Sequence, residues 1–321
     1  MQQGLEQPTA HARTGISLAR REAIWAYIFL AVPLAFYLGL RIWPAFQSFY
    51  LSLFSWHVDA AQREFLGAQQ YGQMLSDPKL HRALLNTLLY TAIIVPAQLA
   101  LGLGIAMLLN SVEKFQPLFR AIYFAPYVTP AAAVAWVWGW MYSVNFGVIN
   151  NAIIEWGIFW ERLGVNFLTV DPQPFLTSPK QALAAVAVVV IWQNLGFQVV
   201  IFLAGLKGVP KMFYEAARID GANRWQLFKS ITIPLLNPVI VFSLIISTIA
   251  SLQLFDQVVN INFTDQGGPL NSTLTIALYM YQEAFSRFRL GYAAAITVLL
   301  FGLILIVTLL QLKFASRSVE Y

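Results

Sequence analysis

The sequence predicts an all-α, polytopic membrane fold with six transmembrane helices, on two observations. Hydrophobic residues make up 58% of the 321 positions and charged residues only 11%, where a soluble domain carries roughly a quarter charged. Six apolar segments are each long enough to cross a bilayer: about 24–43, 83–109, 118–142, 182–206, 235–260 and 291–314. The 10 Trp, 13 Tyr and 24 Phe suit aromatic belts at the two membrane surfaces.

Residues 1–22 read as a polar cytoplasmic tail, leaving 23–321 as the transmembrane domain. The basic end of the tail, with Arg20 and Arg21, flanks the first span as an inside anchor does. A signal peptide is the alternative there. It fails because Ile24 to Trp43 spans a bilayer and no small-x-small cleavage site follows. Pro33, Pro96, Pro126, Pro130 and Pro238 fall within or near span ends, where membrane helices tolerate kinks. Gly102, Gly104 and Ala131-Ala132-Ala133 offer close helix packing. With both termini cytoplasmic, twelve of the 20 Lys and Arg residues fall on the shorter, inner segments, among them Lys207, Lys211, Arg218, Arg224 and Lys229.

Composition also excludes chemistry. The chain has no cysteine, so it has no disulfide framework and no thiolate ligand or nucleophile. None of His11, His57 and His81 is followed by Glu, so no HExxH zinc motif exists, and no Gly-Lys-Ser/Thr marks a Walker A loop. The net charge of +5 follows from membrane topology rather than from nucleic-acid binding. Asn262-Phe263-Thr264 and Asn271-Ser272-Thr273 match the glycosylation pattern by accident.

Between the fourth and fifth spans lies a polar island, residues 210–234. Its residues predict a helix, a break and a second helix. Pro210 suits a first helical turn and no further breaker occurs up to Asp220. Gly221 can take the left-handed conformation that closes a helix. Asn223 can cap the next helix with Gln226 as its capping-box partner, until Pro234 stops it. Ala216 and Ala217 leave one side nearly without bulk, open to a close partner surface. Spacing alone favours an amphipathic loop resting on the bilayer.

Glu215-Ala216-Ala217, three residues, Gly221, nine residues and Ile231-Thr232-Ile233-Pro234 resemble the EAA signature of the membrane subunits of bacterial ABC importers, with Ile233 in place of the usual Leu. Asn86-Thr87, Gly267-Gly268-Pro269 with Ser272-Thr273, Ala284-Phe285 and Gly291-Tyr292-Ala293-Ala294-Ala295 are similar to the sugar-permease branch. The run from Asp256 to Gly267 is slightly longer than in that branch, and Asp265-Gln266 stand where a glycine is common. The resemblance implies a type I importer permease fold in the bacterial inner membrane. It also implies a coupling helix that docks on a cytoplasmic ATPase through Tyr214, Glu215, Ala216, Ala217, Asp220 and Gly221. The partners implied are a second permease, two ATPase subunits that bind ATP and Mg, and an extracytoplasmic solute-binding protein. No cofactor is expected in this chain, and no catalytic or metal residue.

Polar side chains inside spans are site candidates because lipid does not solvate them. Here they are Asn194 and Gln198, beside Trp192 and Gly196, in the fourth span, and Gln253 with Asp256, placed on one helical face, in the fifth. Amides, a carboxylate and aromatic faces suit sugar hydroxyls and C–H surfaces, and in the resembling family these two spans line the transport cavity. Each amide could equally bond a neighbouring helix, and Asp256 could be solvated at a span end. The resemblance implies uptake of a sugar or sugar-like solute by alternating access. The alternative is a stand-alone secondary transporter, for which Asp256 is the only acidic candidate and no paired broken helices are visible. A membrane-embedded hydrolase or transferase lacks a catalytic constellation.

Overall fold

The computed structural model describes residues 18–56, 63–112, 114–163, 171–262 and 265–315. The tail up to residue 17, His57 and Arg317 therefore lie outside the described residues. The chain divides into two compact units, residues 1–50 and 51–321.

In the first unit, α1 (Leu18–Tyr37) runs through a π turn at Leu38–Ile42 into α2 (Trp43–Leu51). This apolar stretch is 34 residues long, longer at both ends than the expected 24–43. A length of 34 residues exceeds the ~20 that cross a bilayer upright.

In the second unit, a two-stranded antiparallel ribbon pairs β1 (Phe54–Ser55) with β2 (Glu64–Phe65), and a short helix α3 (Gln69–Met74) follows. Helix α4 (Pro78–Asn110) begins five residues before hydropathy alone places it. The reason is local: Asp77 Oδ1 accepts the Lys79 and Leu80 amides at 2.9 and 3.2 Å, and Pro78 occupies the first turn. Helix α8 (Ala182–Gly208) and α14 (Leu290–Ala315) match the expected fourth and sixth spans closely.

Two expected spans are not single helices. The third is α5 (Gln116–Val128) and α6 (Ala131–Met141), bent by 93° at Thr129-Pro130. Proline lacks a donor and restricts the residue before it, so Pro130 ends α5 and starts α6. The fifth breaks at residues 253–255, between α11 (Ile233–Leu252) and α12 (Asp256–Ile261). Thr275 Oγ1 donates to the Leu254 carbonyl at 2.8 Å and so satisfies part of the freed backbone. Between α6 and α8, helix α7 (Val148–Arg162) occupies what hydropathy treats as a loop. Beyond α12, α13 (Ile276–Tyr281) leads through a π turn towards α14.

Helices α4 and α8 form the central pair. A Cβ on Gly102 would stand 2.6 Å from Gln198 Cβ, so this glycine sets their approach. Gly104 has nothing within 4 Å among the described residues and plays no such part there. One core cluster gathers Tyr90, Ile94, Val186, Val190, Leu254, Val258 and Tyr279, while a second gathers Ala106, Val199, Phe202, Leu206 and Leu236 along the same pair.

Candidate functional site

The polar island folds as α9 (Lys211–Ile219), a turn, and α10 (Arg224–Leu227). Pro210 precedes the first helical residue instead of occupying the first turn. Gly221 has φ +80°, and the Ala222 and Gly221 amides reach back to the Ala217 and Arg218 carbonyls at 2.9 and 3.1 Å. This is the Schellman closure, and a left-handed residue completes it at little cost only if it is glycine. Asn223 and Gln226 form the reciprocal capping box, at 2.9 and 2.8 Å. Pro234 does not stop the second helix. A π turn at Phe228–Thr232 shifts the hydrogen-bond ladder by one residue and carries α10 into α11.

Glu215, Ala216, Asp220 and Gly221 are all exposed, as are Met212, Phe213 and Ile219, the last by 86%. Helix α9 thus offers a small-residue surface ringed by apolar side chains. Ala217, Asp220, Gly221 and Ala222 also edge a groove of about 300 Å³ against Gln226, Leu227 and Ile231. Tyr214 differs from the rest. It is half-buried, its hydroxyl 3.1 Å from Thr232 Oγ1, and Thr232 bonds the Leu227 carbonyl at 3.3 Å. Tyr214 therefore ties α9 to the π turn instead of facing outward.

A second feature is a cavity of about 260 Å³ bordered by α4, α5, α8, α11 and α12. Asn194, Gln198, Gln253 and Asp256 line it. Gln253 and Asp256 do so from either side of the helix break, not from one helical face. Trp192 and Gly196 lie outside the lining. Trp192 is exposed and stands edge-on to Trp138 at 5.4 Å. Gly196 is buried where α8 crosses α5, and a Cβ there would collide with the Tyr123 carbonyl oxygen.

Other lining residues went unread in the sequence. Tyr127 and Phe197 stack at 5.1 Å and form an aromatic wall, and Gln98, Ser247, Ser251 and Gln257 add polar groups. Gln98 carries the signal already applied to Asn194, an amide within a span. Gln198 Nε2 donates to Ser247 Oγ at 2.5 Å, while Gln198 Oε1 and Ser251 Oγ are buried with no hydrogen-bond partner among the described residues. Buried polar atoms of this kind are costly unless something bonds them. Behind the cavity, Gln257 Nε2 donates to Gln193 Oε1 at 2.8 Å, and Gln193 Nε2 to the Thr129 carbonyl at 3.2 Å. Two amides thereby link the α5–α6 elbow to α12.

At the other end of α4, the motifs at Asn86-Thr87 and at Gly267 to Thr275 form one node. Asn86 Nδ2 donates to the Asn271 and Leu274 carbonyls at 2.8 and 3.0 Å, and Thr87 Oγ1 accepts the Ile276 amide at 3.0 Å. Beside it, the hydroxyls of Tyr279 and Tyr292 both donate to Asp77 Oδ2, at 2.6 and 2.7 Å. Burial pushes the Asp77 carboxyl up, but these hydroxyls and the Leu80 and Lys79 amides outweigh it and hold it below the ordinary 3.8. Buried Glu283 pairs with both Arg287 and Arg289. Asp77 and Glu283 have structural partners, so they are frame and not site.

Residues 98–319 match the family of the binding-protein-dependent transport system inner membrane component. The sulfoquinovosyl glycerol transport system permease SmoG of Agrobacterium fabrum is 35% identical, covering 89% of each chain. The lactose transport system permease LacF of Rhizobium radiobacter is 33% identical over 94% of this chain and 97% of its own. Among solved structures, a bacterial ABC transporter involved in the import of the acidic polysaccharide alginate superposes with a TM-score of 0.77 at 21% identity, covering 94% and 98% of the two chains. The fold is that of an ABC importer permease, and the chain belongs to the family of binding-protein-dependent transport system inner membrane components.

Proposed function

We propose that this chain is the permease subunit of an ATP-driven importer for a sugar or sugar-like solute, working by alternating access. The observation that carries the reading is the exposed, Schellman-closed helix α9 with its Glu215-Ala216-Ala217 face and the groove beside Gly221. An ATPase subunit docks there, ATP and Mg stay in the two ATPase subunits, and this chain makes no covalent bond. Tyr214 positions α9 and passes its movement to α11 through Thr232.

The cavity supplies the substrate contacts. Asn194, Gln253, Asp256, Ser251 and the free Gln198 oxygen bond hydroxyl groups, while Tyr127, Phe197 and Phe255 face the C–H surfaces. Its 260 Å³ falls below the roughly 300–1,000 Å³ of ordinary ligand pockets. A second, similar permease completes it. Both termini lie in the cytoplasm, and the solute-binding protein delivers solute at the opposite face. The test is ATP hydrolysis by the assembled complex in lipid, challenged with candidate binding proteins loaded from a sugar panel. Stimulation by one loaded protein supports the reading, and solute movement on an ion gradient without ATP hydrolysis overturns it.

A further inference from the structure

Helix α7 follows α6, the second limb of the broken third span, and among the described residues one of its sides is exposed. Val148, Ala152, Trp156, Phe159 and Leu163, spaced by four, four, three and four residues, are all exposed and share one stripe. Ile149 and Ile153 continue the stripe and border an open apolar groove of about 600 Å³ with Val148, Ala152 and Trp156. Its polar edge carries Asn151, Glu155 and Arg162. The opposite side is fixed to the protein. Buried Asn150 donates to the Ser143 and Gln173 carbonyls at 3.1 and 3.0 Å and accepts the Gln173 amide at 2.7 Å, and Gly157 is buried beside it.

We infer that α7 is an interfacial helix whose Val148–Leu163 stripe lies in the lipid headgroup layer at the membrane surface where α6 ends. Two observations commit the stripe to lipid. It follows α6, half of a bent pair apolar enough to make one span, where Trp136, Val137 and Trp140 are exposed as well. Its exposed centre is Trp156 with Phe159, ring centroids 6.4 Å apart and Trp160 packed against both, and a bulky aromatic cluster beside charged residues suits the interface. A helix pinned by Asn150 on one side and lipid on the other holds the end of α6 at a fixed depth, which steadies the elbow at Thr129-Pro130.

The inference rests on the membrane reading and on the proposed orientation for which surface this is, and the test separates them. The chain has no cysteine, so single cysteines at Trp156→Cys, Phe159→Cys and Glu155→Cys can be labelled with an environment-sensitive fluorophore. The labelled chain is assembled with cysteine-free partner subunits in phosphatidylcholine–phosphatidylglycerol vesicles. Labels at 156 and 159 are expected to be quenched about twofold more than the label at 155 by lipids spin-labelled near the headgroup, and less by lipids spin-labelled at the chain terminus, as shallow burial requires. Quenching by aqueous iodide alone overturns the inference. Protection from both quenchers also overturns it, because a partner protein then covers the stripe. A membrane-impermeant maleimide reacting with Glu155→Cys from one side reports orientation separately, so reversed orientation leaves the lipid contact standing.

Discussion

The Tyr214 hydroxyl lies 3.1 Å from Thr232 Oγ1, and this contact joins helix α9 to the π turn from which α11 rises. Tyr214→Phe keeps the ring and removes the hydroxyl, at a cost of about 0.5–1.5 kcal/mol in stability. The expected result is continued ATP hydrolysis with less solute moved per ATP. Thr232→Val should cost at least as much, because it also gives up the bond to the Leu227 carbonyl, and the double variant should be no worse than Thr232→Val alone, because residues acting through one contact are not additive. Uptake and hydrolysis measured on the same vesicles check this.

Gly196→Ala should destabilise the permease by about 1–3 kcal/mol, because the added methyl meets the Tyr123 backbone, which cannot swing aside as a side chain would. Thermal unfolding in detergent reads the loss. Gly104→Ala, with nothing within 4 Å, should leave the midpoint unchanged.

Ser251→Ala removes a buried hydroxyl that has no hydrogen-bond partner among the described residues. Stability should hold or rise slightly, while the apparent affinity for solute in uptake falls by about tenfold, the equivalent of one good hydrogen bond. Unchanged uptake kinetics would remove Ser251 from the substrate contacts.

Asp77 gives a pH dependence. Its folded-state carboxyl is held below the ordinary 3.8, so its contribution is present above that value and is lost as pH falls through the lower folded value. The wild-type unfolding temperature should therefore exceed that of Asp77→Asn at neutral pH, and the gap should close as pH drops below 3.8. A gap that stays constant as the pH falls well below 3.8 contradicts the assignment.

Gln193→Leu severs the amide link between the elbow and α12 and leaves the Thr129 carbonyl and the Gln257 amide without partners. An unfolding penalty of about 2–3 kcal/mol is expected from two orphaned polar groups, and Gln193→Glu should recover part of it through Gln257. Thermal unfolding of the two variants side by side decides.

Hydropathy made the membrane class and most of the spans legible, because lipid rewards apolar length directly. It did not show where spans break. The 93° elbow turns on Pro130, and Pro33 and Pro96 sit inside continuous helices, so a proline alone does not distinguish a kink from an end. The turn chemistry at Gly221 and Asn223 was readable because both devices are local. Tyr214 was not, since its partner Thr232 stands eighteen residues on and becomes a neighbour only through the π turn. In the cavity, amide identity was visible, yet which amides face it depends on helix rotation. Asn194 and Gln198 turn inward while Trp192, only two residues from Asn194, turns out.

The most direct measurement is solute uptake by Gly221→Asp. The φ of +80° strains any residue but glycine, Asp less than most, and nothing stands within 4 Å of its Cβ, so the local strain should still let the permease insert and assemble. A charged side chain at the edge of the α9 groove should block ATPase docking and abolish uptake at normal membrane levels. Wild-type uptake at wild-type levels would contradict the assignment of α9 as the coupling element.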